Sequence, residues 1–108
     1  AQDCMAQMNL NKRQGTYAWT LGPTYETPAE VKLLQQHDVS AVGMSTVPEI
    51  ERAHDLGLNL LSIACLTNYA AGISDHPLSH EEVVDQANRS GKQFSELLLR
   101  ILTKIDQI

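Results

Sequence analysis

Aromatic residues are scarce, with one Trp, three Tyr and one Phe among 108 residues. A surface that stacks nucleic-acid bases needs such rings in number, so a stacking platform is disfavoured. Positive charge is also thin. Eight basic side chains, at Lys12, Arg13, Lys32, Arg52, Arg89, Lys92, Arg100 and Lys104, are scattered among thirteen acidic ones, for a net charge of −5. Phosphate backbones are held by clustered cations that release counterions, and no cluster is legible, so no nucleic-acid partner is expected. Cys4 and Cys65 are the only cysteines, with neither a C-x-x-C nor a zinc spacing; reduced thiols in a cytoplasmic protein are the expectation. The longest apolar run, 60–66, is broken by Ser62 and falls far short of the roughly 20 residues that span a bilayer, so no membrane segment is expected. The start, Ala1-Gln2-Asp3, lacks the basic and apolar regions of an export signal. Without an initiator Met, the chain is expected to be a piece of something longer.

What remains is an ordinary globular composition, 43% apolar and 19% charged, in a length that suits one domain. Residues 1–14 are polar, with a weak helical pattern through Met5, Met8 and Lys12, and read as a frayed helix or linker. The stretch Thr16-Tyr17-Ala18-Trp19-Thr20-Leu21 is rich in β-branched and aromatic residues and closed by Gly22-Pro23, which predicts a strand and a turn. Thr27…Glu30, Thr46…Glu49 and Ser79…Glu82 match the capping box, in which the hydroxyl caps the third helical amide and the glutamate reaches back. Each predicts a helix start. The first helix should reach about His37 and bury Val31 and Leu34; the second should run from Val47 and end at Gly57. The third carries Val84, Ala87, Gly91, Phe94, Leu98, Ile101 and Ile105 at alternating spacings of 3 and 4, an apolar stripe expected to cover the sheet. Two further near-continuous apolar segments, 39–43 and 58–66, predict strands buried on both faces. The order β-α-β-α-β-α implies an α/β layered fold, with a largely parallel or mixed central sheet flanked by helices.

In such sheets ligands bind beyond the carboxyl ends of the strands. Those ends carry Gly22-Pro23-Thr24-Tyr25-Glu26, Gly43-Met44-Ser45-Thr46 and Thr67-Asn68-Tyr69. The plain structural alternatives are that Glu26 is a carboxylate at a positive helix start, Asn68 a turn residue, Tyr25 and Met44 packing residues and Ser45 a loop hydroxyl. His76 and His80 with Asp75 suggest a metal site superficially, but Pro77 biases His76 away from helix and a third ligand is not evident, so none is expected. Nucleophile elbow, P-loop and dinucleotide fingerprint are all missing from the sequence.

The strings Gly15-Thr16-Tyr17, Gly22-Pro23-Thr24-Tyr25-Glu26-Thr27-Pro28-Ala29-Glu30, Ala41-Val42-Gly43-Met44-Ser45-Thr46-Val47-Pro48-Glu49, Thr67-Asn68 and His80-Glu81-Glu82-Val83 occur in an order that resembles the carboxy-terminal part of trimeric purine nucleoside phosphorylases, from about residue 15 to 108. The resemblance implies a partial phosphorylase/hydrolase-like fold and phosphorolysis of 6-oxopurine nucleosides to free base and ribose 1-phosphate. It gives Glu26 the acceptor role toward purine N1 and the 2-amino group, and Asn68, beside Thr67, contact with O6 and N7. Tyr25 becomes a wall of the base pocket, and Val42, Gly43 and Met44 line base and sugar. Tyr17 and His80 would bond ribose hydroxyls, and Ser45 would contact phosphate. No cofactor is implied; phosphate is the co-substrate, and a homo-oligomer, a trimer in the family, is the expected assembly. A glycine-rich phosphate loop, an arginine and a histidine that serve phosphate in the family have no match here, so the isolated chain is expected to be inactive. The competing expectation is a noncatalytic remnant or interaction module that oligomerises through an incomplete sheet.

Overall fold

The computed structural model describes residues 1–11, 13–77 and 79–105. Lys12, the last residue of the weak amino-terminal pattern, lies outside them. The elements are α1 (Gln2–Gln7), β1 (Thr16–Trp19), α2 (Pro28–Gln36), β2 (Val39–Gly43), α3 (Val47–Asp55) and α4 (His80–Ile105). They fall into two compact units: Ala1–Gln14 with Ser79–Ile108, and Gly15–Leu78.

The second unit holds an α/β arrangement. β1 and β2 pair in parallel, with Tyr17 opposite Ala41, Ala18 opposite Val42 and Trp19 opposite Gly43; Thr16 faces Val39, so Ser40 is the extra residue of a bulge. Parallel strands need a crossover, and α2 supplies it, packing against β2. Its start obeys the sequence. Thr27 is extended and accepts from the Glu30 N–H, while Glu30 accepts from the Thr27 N–H at 2.7 Å. Val31 is buried and Leu34 half-buried, which turns the helix toward the strand. α3 stops as expected: Gly57 has φ +66, its N–H reaches the His54 carbonyl at 2.9 Å, and the Leu58 N–H reaches Ala53 at 3.0 Å. Those two bonds satisfy carbonyls that a helix end leaves open, and a residue without a Cβ holds the left-handed position at low cost.

Three expectations need correction. Residues 58–66 form no strand, and among the described residues the sheet is two-stranded. Leu58, Leu60, Leu61 and Leu66 are exposed by half or more rather than buried on two faces. Burial on two faces requires a ladder partner and a layer on each side, and a unit of two strands and two short helices does not supply them. Strand β2 itself is half-buried, not sealed.

The second predicted capping box also does not form. Thr46 is the N-cap of α3, but its side chain makes no cap bond, and its φ of 82° and ψ of −43° are far from the extended geometry that aims a hydroxyl at the third amide. Instead the Val47 N–H bonds the Ser45 carbonyl at 3.0 Å across Thr46. This is the strained, positive-φ form of the γ-turn, held by a β-branched residue.

The third correction concerns α4, which belongs to the unit containing α1 and packs on that helix. Its buried side chains are Leu97 and Ile101, the latter a member of the predicted stripe, and in α1 Cys4 is fully buried. Val84, Leu98 and Ile105 of the predicted stripe are exposed, while Phe94 is half-buried. A single short helix covers a narrow line of α4, so only one row of its broad apolar face is sealed. At its start the Ser79 carbonyl accepts from the Val83 N–H at 3.3 Å.

Candidate active site

Because β1 and β2 run parallel, their carboxyl ends open on one edge, and the chain leaves both ends in polar loops. The ladder continues one residue past β1: the Thr20 N–H donates to the Gly43 carbonyl at 2.9 Å. Thr20 then turns its hydroxyl outward along the loop and donates to Glu26 Oε1 at 2.5 Å in a partly buried bond. The carboxylate of Glu26 is thereby tied to the residue that follows the end of β1. Between them the Gly22–Pro23 peptide is cis. The Met44 thioether lies against Gly22, where a Cβ would stand 2.5 Å from Sδ.

From within β1, Tyr17 also reaches across to the end of β2. Its hydroxyl donates to the Ser45 carbonyl at 3.2 Å, and the phenol fills the space over Gly43 that a Cβ would otherwise need. The Ser45 carbonyl therefore takes two donors, Tyr17 Oη–H and Val47 N–H, which helps to hold the strained turn at Thr46. Ser45 Oγ lies 3.2 Å from Thr46 Oγ1. Tyr17, Glu26, Gly43, Met44 and Ser45 are in this way linked to one strand edge, with Tyr25, partly exposed, next to Glu26 and Val42 one residue back in β2.

Asn68 lies in the same unit with a local set of bonds: Thr67 Oγ1 donates to its Oδ1 at 2.7 Å, and its Nδ2 donates to the Tyr69 carbonyl at 2.9 Å. These fix which way the amide faces, and an amide nitrogen carries a second N–H beyond the one given to Tyr69. The turn that follows rests on α2, since a Cβ at Gly72 would stand 2.9 Å from the Pro28 Cβ. His80, the first residue of α4, belongs to the other unit. Beside the site, the Glu30 carboxyl is held below its usual range, first by the Thr27 backbone N–H and then by the Thr27 hydroxyl.

Comparison with known proteins gives this edge a context. The phosphorylase superfamily model matches residues 1–103. The chain belongs to the phosphorylase superfamily. The match includes the amino-terminal residues, not only the segment from Gly15 onward. Within the superfamily, purine nucleoside phosphorylase 1 of Bacillus subtilis is 41% identical over 106 residues, covering 98% of this chain and 39% of that protein. A Moorella thermoacetica protein named "Probable 6-oxopurine nucleoside phosphorylase" is 46% identical over 91 residues, 84% of this chain and 35% of its own length. In three dimensions the chain superposes on a schistosome purine nucleoside phosphorylase solved in complex with hypoxanthine, with a TM-score of 0.84 and 30% identity, over 93% of this chain and 37% of that one. The chain thus spans well under half the length of these phosphorylases.

The bond from Thr20 to Glu26 was not foreseeable from the sequence. A threonine at the end of a β-branched stretch is indistinguishable from any strand residue, and nothing in the spacing announces that the loop returns a carboxylate six residues later.

Proposed function

We propose that this chain carries the purine and ribose side of a purine nucleoside phosphorylase site acting on 6-oxopurine nucleosides, with inorganic phosphate as co-substrate and no cofactor. The observation that carries the reading is the Glu26 carboxylate held by Thr20 at the strand edge that also bears Gly43, Met44 and Ser45. A fixed carboxylate is an acceptor for the N1–H and 2-amino groups of a 6-oxopurine, and adenine has no N1–H to offer. When phosphate attacks the anomeric carbon, the bond from that carbon to the purine nitrogen breaks and its electron pair goes to the base. An Asn68 N–H aimed at N7 or O6 strengthens as that charge develops, so it lowers the barrier more than it tightens ground-state binding. Tyr17 gives its proton to the Ser45 carbonyl, so toward a ribose hydroxyl it offers a lone pair as acceptor. Ser45 is the phosphate contact. The two free cysteines, Cys4 and Cys65, suit the reducing cytoplasm.

Segments 22–26, 42–46 and 65–69 contain no Lys, Arg or His. Phosphate is normally clamped by several charge-assisted donors, so residues 1–108 alone are proposed to bind base without turning over nucleoside. Calorimetry with guanine and adenine tests the reading. Guanine should bind about tenfold or more tightly than adenine, the cost of one unmet buried polar group; equal affinities would refute it.

A second reading, association between copies, is favoured by one observation: Leu58, Leu60, Leu61 and Leu66 line an exposed segment that has no ladder partner among the described residues. Apolar, unpaired segments of this kind drive strand addition.

A further inference from the structure

We infer that Thr20 is a positioning residue that sets the selectivity of the site for a 2-amino-6-oxopurine over a purine lacking the 2-amino group. The inference rests on the reading of Glu26 as the base acceptor. Glu26 has three rotatable bonds before its carboxylate, and an unrestrained carboxylate turns about the last of them at little cost. The Thr20 hydroxyl removes that freedom by donating to Oε1 at 2.5 Å in a partly buried setting, and the Thr20 backbone is itself anchored to Gly43 through its N–H at 2.9 Å. The acceptor is therefore referenced to the sheet rather than to the loop 21–26. Among the described residues the bond from Thr20 is the one recorded for this carboxylate, which leaves Oε2 and the second lone pair of Oε1 for a ligand.

The geometry matters differently for the two ligand types. A base with two parallel N–H donors, at N1 and at the 2-amino group, needs both carboxylate oxygens in the plane of its ring at once. A base with the N1–H alone can follow a rotated carboxylate and keep its bond. Loss of the Thr20 hydroxyl should consequently penalise the two-donor ligand and nearly spare the one-donor ligand. A purely structural role for Thr20 would weaken both to the same extent.

The experiment is calorimetric titration of the 108-residue chain and its Thr20→Val, Thr20→Ala and Thr20→Ser variants with guanine and with hypoxanthine. Thermal melting first identifies which of the two hydroxyl-free variants keeps a cooperative transition, and the ratio is read on it. The expected result is a loss of about tenfold in guanine affinity, comparable to one charge-assisted hydrogen bond, with hypoxanthine changed by about twofold or less and Thr20→Ser close to the parent. Equal losses for the two bases, or no loss for either, in a chain whose parent binds guanine would overturn the role of Thr20 and leave the reading of Glu26 intact. Absence of guanine binding by the parent chain would overturn both.

Discussion

Tyr17 donates its hydroxyl proton to the Ser45 carbonyl at 3.2 Å, a bond between residues 28 apart that ties the first strand to the loop leaving the second. The phenol lies over Gly43, so the bond exists only because residue 43 has no Cβ. The same carbonyl closes the strained turn at Thr46. Three candidate site residues, Tyr17, Gly43 and Ser45, thus depend on one another's shape.

That dependence predicts coupling between substitutions. Gly43→Ala should destabilise by about 1–3 kcal/mol, the range for forcing extra volume into a packed position. In a Tyr17→Phe background, where the clashing oxygen is gone, the same change should cost at least about 1 kcal/mol less. Chemical denaturation of the four chains gives the cycle; additive costs would mean that the phenol does not occupy that space.

The capping box on α2 predicts a pH dependence. The Glu30 carboxyl is lowered from 4.5 in the folded chain, first by the Thr27 N–H and then by its hydroxyl. A depressed acid contributes stability that is present above its unfolded value and is lost as pH falls through the folded value. Thr27→Ala should cost about 0.5–2 kcal/mol near neutrality through the missing cap. The stability curve of Glu30→Gln, which has no carboxyl to titrate, should be flatter than that of the parent below about pH 4.5. Parallel curves for the two chains across that range would contradict the assignment.

A buried row on α4 can be distinguished from the apolar stripe written in the sequence. Leu97 is 2% exposed and Leu98 41%. Leu97→Ala should therefore lower stability by about 2–5 kcal/mol, and Leu98→Ala by about 1 kcal/mol or less. The reverse order in thermal or denaturant melts would show that the stripe through Leu98, not the row through Leu97, is the sealed face.

These contrasts mark where sequence was sufficient. Local signals were legible because their physics is local: Thr27 and Glu30 cap α2, Gly57 ends α3, and Thr16–Trp19 and Val39–Gly43 are strands. The resemblance named the family and the residues at the strand ends. Residues 58–66 misled because apolar content reports a wish for burial, whereas a strand also needs a neighbour to pair with. Thr46 misled because the Ser45 carbonyl accepts from both Tyr17 and Val47, and the long-range bond from Tyr17 accompanies a turn in which the cap is not extended. Thr20 was invisible for the same reason: its partner is chosen by the return path of a loop.

The exposed leucines predict self-association. Sedimentation of the 108-residue chain should show a species heavier than a monomer. Leu58→Asp with Leu61→Asp, at positions 60% and 57% exposed, should shift it to monomer without loss of helix content, because a charge on an unpaired apolar segment blocks strand addition. A parent chain that is monomeric at the same concentration would remove this reading.

A purine bound, as proposed, at the carboxyl edge of β1 and β2 against Glu26 would perturb the backbone amides around it. Titrating isotopically labelled chain with guanine and following backbone amide resonances tests that placement most directly. The largest shifts are expected at Tyr25 and Glu26 and at Gly43, Met44 and Ser45, with smaller ones at Thr67 and Asn68, and all should be lost in Glu26→Ala. Shifts centred on residues 58–66, or a pattern unchanged by Glu26→Ala, would contradict it.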